Sequence, residues 1–105
     1  MRAAGQTGSV HALDLARTDW FDSLRTSVLD AHACVDIVVH AAAPRIESTA
    51  VGALTRAQCE EQWNVGPGAA IDLVRLWSSG MAERGFGRFV FIGTIRELSA
   101  TILLT

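Results

Sequence analysis

The 105-residue chain has no tyrosine and no lysine; all nine basic residues are arginine. It therefore has neither a phenol nor a lysine ammonium for its chemistry. Cysteine is scarce as well. Cys34 and Cys59 form no CxxC pair, so they read as two reduced thiols of a cytoplasmic protein, with a disulfide between them as the alternative. There is no excess of positive charge. The formal net charge is -2, and without a basic face the chain is not read as a nucleic-acid binder. Long apolar runs are missing. The longest, Val35 to Ala43, is interrupted by Asp36 and His40 and is too short to span a membrane. The first eight residues contain no apolar core of a signal peptide. No repeat, low-complexity tract or linker divides the sequence. What is there, 50% hydrophobic and 19% charged residues, is the mix of one small globular domain.

Along the chain, strand and helix patterns alternate. Val10 to Leu15 reads as a short strand. Thr18 and Asp19 are helix N-cap residues, and Trp20, Leu24, Val28 and Ala31 recur behind them at helical spacing. Ile37-Val38-Val39 is a β-branched run that reads as a strand buried on both faces, ending in the small residues Ala41, Ala42 and Ala43. Thr55 with Gln58 three residues on is a capping box opening a helix through Glu60, Glu61 and Trp63. Gly66-Pro67-Gly68 should kink that helix, since proline removes a donor and crowds the preceding turn. Helical spacing resumes at Ile71, Val74, Leu76 and Trp77 and stops at Gly85-Phe86-Gly87. Arg88 to Ile92 reads as a third strand leading to Gly93-Thr94. This order predicts an α/β fold with parallel strands, and ligand sites in such sheets lie beyond the carboxyl ends of the strands. The residues to watch are then Asp14 and Leu15, His40 to Pro44, and Gly93-Thr94.

These three segments carry a resemblance. Asp36 to Ala43 resembles the D-I-L-V-N-N-A-G strand of the short-chain dehydrogenase/reductase family. Asp14-Leu15 stands where that family's preceding strand ends in an adenine-contacting Asp. Met81, Gly87-Arg88 and Ile92-Gly93-Thr94 are similar to its M-x5-G-R-I-V-x-I-S/G-S stretch. The resemblance covers nearly the whole chain. It implies a partial Rossmann-type, doubly wound parallel sheet of three strands and two main helices. It also implies one partial NAD(P)-binding domain over 1–105, lacking the family's first strands and its C-terminal catalytic segment. The activity implied is hydride transfer between NAD or NADP and a small-molecule carbonyl or alcohol. Asp14, Leu15, His40, Ala41, Ala42 and Ala43 would face the cofactor, and Thr94 would take the place of the catalytic Ser. The family's tetramer uses the long helix found here together with a later one, which leaves open whether this chain forms a homo-oligomer.

The departures are as definite as the matches. His40 replaces the first Asn of the strand motif, and an imidazole lacks the amide's paired donor and acceptor. A lone His is more often a hydrogen-bonded core residue than a ligand group. Ala41 to Ala43 could simply pack a strand against a helix, and Thr94 could cap a strand-end turn. The family's active-site Asn falls on Gly66, while Asn64 is out of register. Its T-G-x3-G-x-G turn is absent, since Gly5-Gln6-Thr7-Gly8 precedes the wrong strand. No Y-x3-K pair can be drawn from a chain without Tyr or Lys. His32, Cys34 and His40 fit no standard metal-ligand spacing, so no metal is expected. Two functions remain open: a segment of an oxidoreductase that is inactive by itself, or a non-catalytic relative serving as a partner subunit.

Overall fold

A computed structural model describes residues 7–44 and 49–93. Helix α1 spans Phe21–Ala31, strand β1 Ile37–His40, helix α2 Arg56–Trp63, helix α3 Ala69–Arg84 and strand β2 Arg88–Phe91. A π-type turn over Asn64–Gly68 joins α2 to α3, so the two form one long, kinked helix. A short 3₁₀ turn, Val51–Ala53, precedes it.

The two strands pair in parallel, with Ile37 opposite Arg88, Val38 opposite Phe89, Val39 opposite Val90 and His40 opposite Phe91. Parallel strands need a long crossover, and the kinked helix supplies it. Backbone bonds from Arg88 N–H to the Asp36 carbonyl and from Ile92 N–H to the His40 carbonyl, both 3.0 Å, continue the ladder past each end.

The core lies between this ribbon and the helices. Leu76, Trp77 and Met81 of α3 are buried at its centre. Phe21, Leu24 and Val28 of α1, spaced three and four apart, pack against them from one side, and Val38 and Phe89 of the strands from the other. Each such side chain contributes about 1.5–3 kcal/mol when fully buried. Arg84, in the last turn of α3, donates to the Val35 carbonyl at 2.7 Å and lies 3.4 Å from the Asp36 carboxylate, fastening the helix end to the start of β1.

Helix ends follow local chemistry. The Thr55–Gln58 capping box forms as its spacing predicts: the Gln58 N–H donates to the Thr55 hydroxyl at 3.1 Å and the Thr55 N–H to the Gln58 side chain at 2.8 Å. Gly85 ends α3 with φ +77°, and Phe86 N–H reaches back to the Met81 carbonyl at 3.1 Å. At α1 the expected caps are not used. Trp20 holds the N-cap position without a side-chain cap bond, and Asp19 turns instead to Arg17.

Three further expectations are overturned. Among the described residues the sheet has two strands, not three, so they form a small α/β unit and not the expected three-stranded partial Rossmann-type sheet. Val10 to Leu15 is not a strand; Val10 is 89% exposed and Asp14 opens a turn. An extended segment becomes a strand only by pairing its backbone, and among the described residues β1 pairs with β2 alone. The Ile37–Val39 run is also buried on one face only. Val38 and His40 face the helices, while Ile37 and Val39 are 58% and 57% exposed. Among the described residues, no helix is long and apolar enough to cross a membrane.

Candidate functional site

The carboxyl end of β1 and the kink of the long helix meet through one side chain. His40, the last residue of β1, is buried, and its Nε2–H donates to the Val65 carbonyl at 2.8 Å. That carbonyl is free because the helix is broken there. Pro67 has no N–H to give to the Trp63 carbonyl four residues back, so the regular ladder is already interrupted at this point. Gly66 leaves helical geometry at φ -91°, ψ -106°, and the Ala69 N–H bonds to Gly66 instead of Val65. A buried carbonyl without a donor costs about 1–3 kcal/mol, so the imidazole stabilises the kink it touches. The bond to a carbonyl also places the His40 proton on Nε2. The ring lies 6.3 Å from that of Phe91 on the neighbouring strand.

Gly68 is fixed sterically. A Cβ there would stand 2.9 Å from the Trp63 carbonyl oxygen and about as close to the Trp63 indole, so the turn closes only around glycine. Asn64, at the start of the turn, donates its side-chain N–H to the Ala16 carbonyl at 3.0 Å. The amide is therefore spent on anchoring the segment ahead of α1. That segment is ordered locally: the Asp14 carboxylate accepts from Ala16 N–H at 3.0 Å and the Asp14 carbonyl from Arg17 N–H at 3.2 Å.

Arg17 and Asp19 form a fork of two bonds, 3.1 and 2.7 Å long. The hydrogen bonds from Arg17 hold the Asp19 carboxyl below the usual carboxylate range, and those to Asp19 raise the Arg17 guanidinium above its ordinary value. Arg17 also borders an open cleft of about 230 Å³, whose walls include Trp20, Trp63, Asn64 and Asp72.

The chain matches no family model, no curated protein and no solved structure.

The sequence-predicted residues are thus distributed as follows. His40 to Ala43 are contiguous at the end of β1, with the three alanines exposed and His40 buried behind them. Asp14 and Leu15 lie in a turn, tied to the kink through Ala16 and Asn64 and not through a sheet. Thr94 lies outside the described residues. Sequence reasoning placed the kink but missed its partner: proline with flanking glycines announces a freed carbonyl, and nothing in the spacing says which donor will take it. It also missed Ser9 and His11. The Ser9 Oγ stands 2.8 Å from the Nε2 of His11 and 2.8 Å from the Nε2 of His32. Cys34 donates to Asp36 at 3.7 Å, and both cysteines are free thiols. Among the described residues, no three His, Cys, Asp or Glu side chains gather as a metal centre.

Proposed function

We propose that this chain supplies the central, cofactor-facing part of an NAD(P)-dependent oxidoreductase of the short-chain dehydrogenase/reductase type. What carries the reading is the link between the end of β1 and a distorted helix, made by His40 and the Val65 carbonyl. The resembled family has a distortion in this helix beside its active site. Two adjacent parallel strands joined by that helix are in keeping with the reading.

The fit to a dinucleotide is partial. Ala41 to Ala43 are exposed and leave room for close approach at the strand end, and Asp14 is exposed in the turn ahead of α1. No Lys exists in the chain to hold a ribose. NAD or NADP would supply or accept the hydride. This chain's own residues do the rest of what they can. His40 keeps the helix distortion in place, the alanines keep the strand end narrow, and the Thr94 hydroxyl donates to the substrate oxygen as charge develops on it. These 105 residues contain no Tyr, so in the complete enzyme the proton would come from a Tyr supplied by another segment. The reading places the protein in the cytoplasm with its thiols reduced.

The test joins the chain to segments carrying a T-G-x3-G-x-G turn and a Y-x3-K pair, and screens carbonyl substrates with NADH and NADPH. The 105 residues alone should show no turnover. The joined protein should bind cofactor and reduce at least one substrate. Thr94→Val should lower kcat by about 10²-fold or more, while Thr94→Ser retains activity. A joined protein that folds but binds neither cofactor refutes the reading. It would favour the alternative of a non-catalytic partner subunit, which the missing Tyr and Lys also suit.

A further inference from the structure

We propose that His11 and His32, with the Ser9 hydroxyl between them, form a binding site for one divalent late first-row transition-metal ion such as zinc(II). The inference is independent of the oxidoreductase reading, since these residues take no part in it. Each Nε2 lies 2.8 Å from the same oxygen, so the two imidazoles converge on one point and are no farther apart than twice that distance. A serine hydroxyl has one proton and can donate to only one ring. The other ring must then donate to the oxygen. One Nε2 lone pair is already aimed at the shared point, and a tautomer shift in the second ring aims another.

Zinc–imidazole and zinc–oxygen bonds are about 2.0–2.2 Å long, so an ion taking the Ser9 oxygen's position needs each ring to advance by less than about 1 Å and the Ser9 side chain to swing out by about 2 Å. The anchoring of the two rings allows this. His32 caps the end of α1, with its backbone N–H bonded to the Val28 carbonyl at 2.8 Å, which fixes one half of the site. His11 sits on irregular chain ahead of α1 and can follow. Cys34, two residues past His32, directs its thiol to Asp36 and stays outside the pair. Imidazole nitrogen with hydroxyl and water oxygen suits zinc, nickel and copper(II), copper binding tightest in the usual order. Two imidazoles do not close a tetrahedral shell. The remaining positions stay open to water or to a small anionic or nitrogen ligand.

The experiment titrates the full chain with zinc chloride and follows the imidazole nitrogens by long-range ¹H–¹⁵N NMR. That readout identifies the ligands in the unaltered protein, whatever the thiols do. The Nε2 resonances of His11 and His32 should move together at one ion per chain while those of His40 stay put. His11→Gln and His32→Gln should each weaken binding by about tenfold or more, a full ligand mattering at least as much as an outer-shell partner. Ser9→Ala should stay within about threefold, because imidazole is the principal ligand. Zinc that leaves both Nε2 resonances unmoved overturns the proposal. So does binding that survives either Gln substitution, which would place the ion on other ligands.

Discussion

Gly87 is the position where the packing of this fold is most exposed to a single methyl group. It follows the left-handed Gly85 and precedes β2, at the point where the chain doubles back over the end of α3. A Cβ built there would stand 2.3 Å from the Met81 sulfur and 2.6 Å from both Met81 Cβ and Cγ. Ordinary carbon contacts are about 3.5–4.0 Å. The sulfur could swing aside, but Met81 Cβ is fixed by its helix, so relief requires backbone movement. Met81 is 4% exposed and belongs to the Leu76–Trp77 cluster, so that movement reaches the centre of the core. Overpacking of this kind costs about 1–3 kcal/mol. At about 2 kcal/mol, Gly87→Ala should lower Tm by roughly 8–16 °C in a domain this small. A thermal melt followed by tryptophan fluorescence reads it, because Trp77 packs beside Met81. The same substitution in a Met81→Ala background should cost far less, since the obstructing side chain is gone. A Gly87→Ala protein melting within about 2 °C of the parent, or strictly additive costs in the double variant, would refute the reasoning.

Other outcomes follow from the same contacts. Gly85→Val should destabilise for a different reason: nothing stands within 4 Å of a Cβ there, but φ +77° is strained for a β-branched residue, at about 1–2 kcal/mol, and Gly85→Asn should recover part of the loss in a urea melt. His40→Ala leaves the Val65 carbonyl without its donor and should cost about 1–3 kcal/mol, with the loss of amide-exchange protection concentrated at Asn64–Gly68. Asp19 should titrate below free aspartate by carboxyl NMR, and Arg17→Gln should raise its midpoint. Its folded pKa is the lower one, so the pair stabilises above the unfolded pKa and that contribution disappears as pH falls through the folded value. Because both groups are exposed, added salt should weaken it.

Signals that live within a few residues of chain were legible in the sequence. The Thr55–Gln58 box, the break at Gly66-Pro67-Gly68, the glycine stop after α3 and the two β-branched or aromatic runs around Val38 and Phe89 each form where spacing places them. Each rests on one residue's donor, φ preference or period, and those do not depend on the rest of the molecule. What failed needed a partner. Val10 to Leu15 has a strand's composition, but a strand exists only when another accepts its hydrogen bonds, and no local pattern reports whether one is present. Thr18 and Asp19 have the chemistry of helix caps, yet Arg17 outcompetes the helix terminus for Asp19.

The candidate site divides along the same line. The sequence by itself determined that His40 ends a strand, that alanines follow it, that the long helix breaks at Pro67, and that neither phenol nor ammonium is available. Only the tertiary structure decided that His40 turns inward to the broken helix, that Asn64 holds the Ala16 carbonyl, and that His11 and His32 meet at Ser9. The last two residues are 21 positions apart in number, His11 and His32. Their meeting depends on how α1 lies against the chain ahead of it, which is set by the burial of Trp20 and the packing of Phe21, Leu24 and Val28 on α3. Hydrogen bonds across such separations depend on where the core places the backbone, so they are a consequence of packing and cannot be read from residue spacing.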